Sequence, residues 1–377
     1  MQLAVVAAGF TPGEADQLRR AMAAWKRKGG LEPFEQKLIE GMRARGYEES
    51  FARQIFEQIK GFGDYGFPES HAASFALLVY VSAWLKRHEP AAFTAALLNS
   101  QPMGFYAPAQ LVRDAREHHV EVRGVDAQCS DWESTLERRT DGEPALRLGF
   151  KLLKGLGQAA AERISAARGA DGAFESVQRL AERAGLGRRE LQALAAGGAL
   201  KSLVGDRHQA VWGVSGVEAP LPVFPELRIA EGAPLLVRPL EGQDIAADYR
   251  SLGLTLGRHP LALLRRRLER EKVVAAVELK ALSPGLGVRV AGLVIGRQRP
   301  GNGNAIFVTL EDETGQVNLI VWASLAERQR KVLLGSRLLQ ANGILQREGQ
   351  VIHVVARQLL DRSRWLGRLN VMSRDFH

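Results

Sequence analysis

Between Val288 and Leu359 the apolar residues recur in an order that few folds accommodate. Val288-Arg289-Val290-Ala291-Gly292-Leu293-Val294-Ile295 reads as one strand and Ile306 to Leu310 as a second, and Glu313-Thr314-Gly315-Gln316 is the turn into a third, Val317 to Trp322. A helix covers roughly Leu325 to Leu334. Two further strands, Arg337 to Leu345 and Val351 to Leu359, flank the turn Arg347-Glu348-Gly349-Gln350. Three strands, a helix and two strands is the order of a five-stranded OB barrel, which takes oligonucleotides on its second and third strands and its first loop. Here that loop, Arg297-Gln298-Arg299-Pro300-Gly301-Asn302-Gly303-Asn304, is basic and polar, so Arg297 and Arg299 are candidate phosphate contacts. Phe307 and Trp322 are candidate stacking platforms, worth ~1–3 kcal/mol per base where used. Strand alternation leaves open whether the two rings face solvent or the core.

The rest of the 377 residues is too long for one ordinary core and points to a multidomain α+β chain. Residues 1–119 read as helical. Thr11-Pro12-Gly13-Glu14 is a capping box with Pro at the first helical position. Its helix runs to about Lys28, and others follow over Pro33 to Arg45, to Lys60, from Ser70 to His88, and from Pro90 to Asn99. A mixed segment covers 120–150, and a glycine-punctuated helical region covers 151–215. Residues 216–287, with Pro220, Pro222, Pro225, Pro234 and Pro239, read as a linker or loosely packed connection carrying one short helix, Pro260 to Lys272. The barrel takes 288–360, and 361–377 is a basic tail.

Charge and composition narrow the partner classes. The net charge is +9, and from Arg289 to the end 13 Lys+Arg face 7 Asp+Glu, so most of the surplus sits in the last quarter. A basic balance suits a polyanionic partner. The lone Cys129 excludes an internal disulfide and a Cys-based zinc site and fits a reducing cytoplasm. No secretory signal is present. The longest apolar run, Ala72 to Leu85, is broken by Ser74 and Ser82 and is too short for a bilayer of ~30 Å, so no membrane partner is expected.

Three more elements suit phosphate. Ser70 and His71 stand at a helix start, where unpaired N–H groups and a partial positive charge favour anions. Ser70 is equally an N-cap and His71 a surface residue. Arg19, Arg20, Lys26 and Arg27 crowd one stretch of helix beside Trp25, a face that suits a triphosphate or simply water. Lys154-Gly155-Leu156-Gly157 precedes one helix and Gly185-Leu186-Gly187-Arg188 another, about 30 residues on. A Gly-x-Gly hairpin before a helix presents backbone N–H groups that hold DNA phosphates without reading sequence, and glycines of this kind also cap helix ends. Gly61, Gly63 and Gly66 satisfy G-x-G-x-x-G but follow a helix, where a dinucleotide site needs a strand. There is no P-loop. His118-His119 lacks a metal-spaced partner, and Glu311-Asp312-Glu313 is turn chemistry.

Longer motifs now converge. Gly61-Phe62-Gly63-Asp64-Tyr65-Gly66-Phe67-Pro68-Glu69-Ser70-His71-Ala72-Ala73-Ser74-Phe75-Ala76 resembles the fingers signature of bacterial polymerase III α chains, the C-family DNA polymerases. Ala83-Trp84-Leu85-Lys86, Pro90-Ala91-Ala92-Phe93, Ala96-Leu97-Leu98-Asn99 and the stretch Ala8 to Met22 are similar to the same family. Asn99-Ser100-Gln101-Pro102-Met103-Gly104-Phe105-Tyr106 and the ending Ser373-Arg374-Asp375-Phe376-His377 resemble its damage-induced, error-prone branch. The resemblance covers essentially the whole chain. It implies the end of the fingers, a connecting segment, a tandem helix-hairpin-helix region and an OB domain. It also implies that Arg19, Arg20, Lys26, Ser70 and His71 lie near the incoming nucleotide's phosphates, and that both hairpins grip duplex DNA.

The implied function is translesion DNA synthesis and repair by nucleotidyl transfer, with primer-template DNA and deoxynucleoside triphosphates as partners. Accessory proteins of a mutagenesis complex and the sliding clamp join that set, although no clear clamp-binding peptide stands out. The family's Mg²⁺ ions are held by palm carboxylates. No Asp-x-Asp occurs here, so the expectation is that this chain starts inside the fingers, carries neither catalytic nor metal-binding residues, and does not polymerise alone. A stand-alone, non-catalytic DNA-binding protein and a protein-interaction module are the competing readings.

Overall fold

A computed structural model describes residues 2–28, 32–62, 69–104, 106–218, 234–300, 303–349, 351–367, 369 and 374–376. The side chains of 22–28, 32, 61, 62, 69–71 and 374–376 are outside that description. The chain forms two units, Met1–Arg87 and His88–His377.

The first unit is helical: α1 (Gln2–Ala8), α2 (Pro12–Lys28), α3 (Glu32–Arg43), α4 (Glu49–Phe62) and α5 (Glu69–His88). The capping box forms as the sequence predicts. Glu14 N–H donates to Thr11 Oγ1 (3.3 Å), and Thr11 N–H donates to Glu14 Oε2 (2.9 Å). The Lys37 ammonium beside Glu14 holds that carboxyl down at about 2. Phe10, Leu18, Leu38, Met42 and Phe56 fill the core between α1, α2, α3 and α4. Helix α5 differs. Among the described residues none of its side chains belongs to that core, and its apolar residues point all round, with Leu77 67% and Tyr80 71% exposed. A helix apolar on every side is one suited to burial on every side.

The second unit opens with α6 (Pro90–Asn99) and α7 (Pro108–Glu117), which pack on a small sheet of β1 (Val122–Arg123), β2 (Thr135–Arg138) and β3 (Pro144–Arg147), ordered β1-β3-β2. A helical cluster follows: α8 (Gln158–Asp171), α9 (Val177–Ala184), α10 (Arg188–Gly197), α11 (Lys201–Val204) and α12 (Arg207–Ser215). One continuous core joins Leu98, Leu111, Leu146 and Phe150 to Ile164, Leu180, Leu194 and Val214.

The stretch read as a loose linker is, from Pro234 onward, mostly packed structure. It holds α13 (Glu241–Ser251) and α14 (Pro260–Arg270), and residues 219–233 lie outside the described residues. Ile245, Ala246, Leu261, Leu268 and Val273 share a core with Ala291, Leu293 and Leu338 of the following domain, so these helices are seated on it.

That domain consists of β4 (Gly287–Gln298), β5 (Ala305–Glu311), β6 (Gln316–Trp322), α15 (Ala323–Arg328), α16 (Arg330–Gly335), β7 (Leu338–Glu348) and β8 (Val351–Asp361). The strand order β5-β6-β8-β7-β4 closes through β4–β5, which makes the five-stranded OB barrel. Closure requires β4 to leave β7 and join β5, and the hand-over falls at Gly292 and Leu293. A Cβ on Gly292 would stand 2.8 Å from the Glu311 backbone, so only glycine lets the strands cross there. A last short strand, β9 (Arg374–Phe376), runs parallel to β4 at Gly296–Gln298. Among the described residues no helix is long and apolar enough to cross a membrane.

Candidate nucleic-acid interface

The first hairpin is built by burying its apolar residues and exposing its backbone. Leu153 and Leu156 are buried, whereas Lys154, Gly155 and Gly157 are exposed. Gly155 reverses the chain at φ +92°, a conformation that side chains with a Cβ rarely adopt. Lys154 N–H donates to the Ser251 carbonyl (2.9 Å), which pins the loop to α13. Gly157 then N-caps α8 in extended conformation with no side-chain cap, and no acidic residue lies in the first turn. Among the described residues no acceptor takes the N–H groups of Gly157 and Gln158, which leaves two donors and the exposed Lys154 ammonium facing outward. Such a helix start accepts a phosphate oxygen. Lys151 is occupied elsewhere, donating to the Asn99 carbonyl.

The second hairpin repeats the backbone. Gly185 is left-handed and C-caps α9, with Leu186 N–H donating to Ala181 (3.0 Å). Leu186 is buried, and Gly187 N-caps α10 with φ −79° and ψ 165°, against −86° and 159° at Gly157. Arg188 is exposed beside it. The cap itself is different: Gly187 N–H donates to Glu190 Oε2 (2.7 Å), and Arg163 of α8 donates to the same carboxylate (3.0 Å) and to the Ala184 carbonyl (2.9 Å).

On the barrel, Phe307 and Trp322 are 41% and 50% exposed. Phe307 pairs with Ile320 and Ala305 with Trp322, so both rings lie on one face of the β5–β6 ribbon as diagonal neighbours. Asn318 and Thr309 continue that face with a hydrogen bond of 3.1 Å. Arg299 is exposed and donates to the Gly303 carbonyl (3.3 Å), bracing the first loop while its outer N–H groups stay open to solvent.

Arg297 requires a correction. It is 6% exposed, and its guanidinium donates to the carbonyls of Leu333 (2.7 Å) and Ser336 (2.6 Å), where it fastens the end of α16. It therefore does not reach DNA. The cause is the register shift in β4 between Val294 and Gly296, which inverts the inside–outside parity of every later residue in the strand.

In the first unit, Arg19 and Arg20 are exposed on α2 and both donate to Asp16, at 2.9 Å each, which lowers that carboxyl below its ordinary range. The backbone of Lys26 lies in the same helix, and Ser70 and His71 lie in the first turn of α5. The side chains of these three lie outside the described residues. Gly61 falls in the last turn of α4 and not behind a strand, so the dinucleotide decoy stays rejected, while Gly63 and Gly66 lie outside the described residues. Among the described residues no group of three His, Cys, Asp or Glu side chains could hold a metal ion.

Sequence reasoning missed two anchoring sets. Arg207, buried at the start of α12, donates to Asp244 and, at 2.6 Å, to Asp248 of α13. The acidic run at the β5–β6 turn does more than turn chemistry. Asp312 accepts from Thr314 N–H (2.7 Å) and Ala276 N–H (2.8 Å) and pairs with Arg265 of α14 (3.3 Å), while Glu311 meets Arg113 of α7 (2.7 Å). These pairs tie the barrel to the helices before it.

Comparison with known proteins agrees with this order of parts. Family models match three stretches: the bacterial DNA polymerase III alpha subunit finger domain over residues 1–46, a helix-hairpin-helix motif over 119–210, and an OB-fold nucleic acid binding domain over 288–361. A protein of Alkalilimnicola ehrlichii named error-prone DNA polymerase is 64% identical over 378 residues, covering 100% of this chain and 37% of that protein. Proteins of the same name from Methylococcus capsulatus and Dechloromonas aromatica are 58% and 57% identical over all of this chain and over 38% and 36% of their own length. The chain thus spans somewhat more than a third of the relatives it matches.

Proposed function

We propose that this chain, which is similar along its whole length to proteins named error-prone DNA polymerase, is the DNA- and nucleotide-gripping portion of such an enzyme, serving synthesis across damaged templates and DNA repair. The observation that carries this reading is the first hairpin, where the open N–H groups of Gly157 and Gln158 and the Lys154 ammonium form an uncapped helix start. Nothing in that set reads a base, so it holds duplex DNA by its backbone whatever the sequence. A polymerase needs this kind of grip, because it must move along every template.

The barrel supplies the complementary contact. Exposed rings on β5 and β6 stack on unpaired bases regardless of identity, which suits the single-stranded template ahead of the primer end. In the first unit, Arg19, Arg20 and Lys26 of α2 and Ser70 and His71 of α5 bind the phosphates of the incoming deoxynucleoside triphosphate. The chemical step, with its metal-holding carboxylates, belongs to the part of the relatives that this chain does not span. In that setting α5 is enclosed, and accessory proteins of damage-tolerant synthesis and the sliding clamp join the enzyme.

The test is binding to a primer-template duplex. A Gly155→Val substitution forces a branched side chain into a left-handed position, which costs about 1–2 kcal/mol in hairpin geometry, so affinity should fall roughly tenfold. Unaltered affinity with an intact fold would remove the hairpin from the interface and with it the main support for this function.

A further inference from the structure

The two hairpins share a backbone but differ in what fills the anion position. At the first, the Gly157 amide is open and the third residue of α8 is the buried Ala160. At the second, the third residue of α10 is Glu190, whose carboxylate already accepts the Gly187 amide at 2.7 Å. That carboxylate takes the cap amide that a phosphate oxygen would use, while the next amide, Arg188, has no acceptor among the described residues, and Arg163, reaching over from α8, fixes the carboxylate at 3.0 and 3.2 Å while also donating to the Ala184 carbonyl. The arrangement is specific to one side: α8 has no acid in its first turn, and α10 has this one.

We propose that Glu190 is a built-in substitute for phosphate that closes the second hairpin, so that the helix-hairpin-helix region grips DNA through the first hairpin alone. This rests on the DNA-binding reading above and departs from the expectation that Gly185 and Gly187 contact the backbone. The consequence is a deliberately weakened hold. One open hairpin neutralises fewer phosphates than two, which favours release and re-binding over a long stay on the duplex, and Glu190 sets that balance.

The experiment compares the full chain with Glu190→Ala and, as a control for simple loss of negative charge on the same helical region, Glu182→Ala. Glu182 is exposed in the last turn of α9, and its carboxylate pairs with Arg179 (2.9 Å) and accepts from Gln178 (2.8 Å) rather than from a cap amide. Affinity for a fluorescent duplex oligonucleotide is measured across a salt series, with melting curves confirming that each variant is folded. Glu190→Ala is expected to tighten binding by about threefold to tenfold and to steepen the slope of log K against log salt by about 0.9, one additional phosphate contact. Glu182→Ala should leave both nearly unchanged. Amide resonances give a second reading: duplex DNA should shift Gly157 in the natural chain, and Gly157 together with Gly187 in Glu190→Ala.

Equal effects of the two substitutions, or a Gly187 amide that already responds to DNA in the natural chain, would overturn the proposal. DNA binding by the hairpins and the role of Glu190 are separable. If Gly155→Val weakens binding but Glu190→Ala does nothing, only the role of Glu190 falls. If neither substitution matters, the DNA-binding reading of the hairpins falls with it.

Discussion

Replacing Arg207 with alanine is expected to destabilise the second unit by about 3–5 kcal/mol, the usual result of removing one partner from a buried ion pair. The side chain is 8% exposed and bridges two carboxylates on α13, Asp244 and Asp248, which are themselves 28% and 18% exposed. Without it, Asp244 keeps Lys201 at 3.3 Å and Asp248 keeps the Thr255 hydroxyl at 2.7 Å, so neither is abandoned but both lose their strongest donor. Helix α13 also pins the first hairpin through the Ser251 carbonyl, so the loss reaches that loop. Thermal denaturation should show a drop of roughly 10 °C. An unshifted transition would mean that α12 and α13 are held together by apolar packing alone.

The second large effect concerns the barrel. Phe307 and Trp322 are half-exposed, on one face, and outside the barrel core, so removing them should not cost the fold. If bases stack on them, the double substitution Phe307→Ala with Trp322→Ala loses about 2 kcal/mol at the least, which is an affinity loss of about thirtyfold or more for a single-stranded oligonucleotide. Fluorescence anisotropy with a labelled oligothymidylate measures it. Binding that survives the double substitution would assign the two rings to a different contact.

The barrel was readable because its strands are short apolar runs set apart by turn residues, with a clean two-residue period in β5 and β6, and the helix between the third and fourth strands fixes the order. The capping box at Thr11 and Glu14 and the two Gly-x-Gly hairpins were readable because each is a local rule, satisfied within four residues. What the sequence hid was non-local. Arg297 looked like a loop cation because the strand reads as ending at Ile295, whereas β4 continues through a bulge to Gln298, and nothing in the residues on either side announces that bulge. Helix α13 was lost behind the prolines that precede it, although Leu240 to Gln243 carries a capping pattern, with Gln243 accepting from Leu240 N–H at 2.8 Å. The same kind of signal, a glutamate three residues after Gly187, was available to show that the second hairpin is capped. The clamp of Arg207 on Asp244 and Asp248 joins residues about 40 apart and leaves no local trace.

In the proposed function this chain meets DNA through phosphate oxygens, at the uncapped start of α8 and at Arg299 in the first barrel loop. The measurement closest to it is the affinity of the whole chain for a primer-template duplex at a series of salt concentrations. With Lys154 and Arg299 each neutralising a phosphate, log K should fall against log salt with a slope of about −1.8 or steeper, and should do so equally for duplexes of unrelated sequence. A flat salt response, or no binding at low salt, would contradict the account.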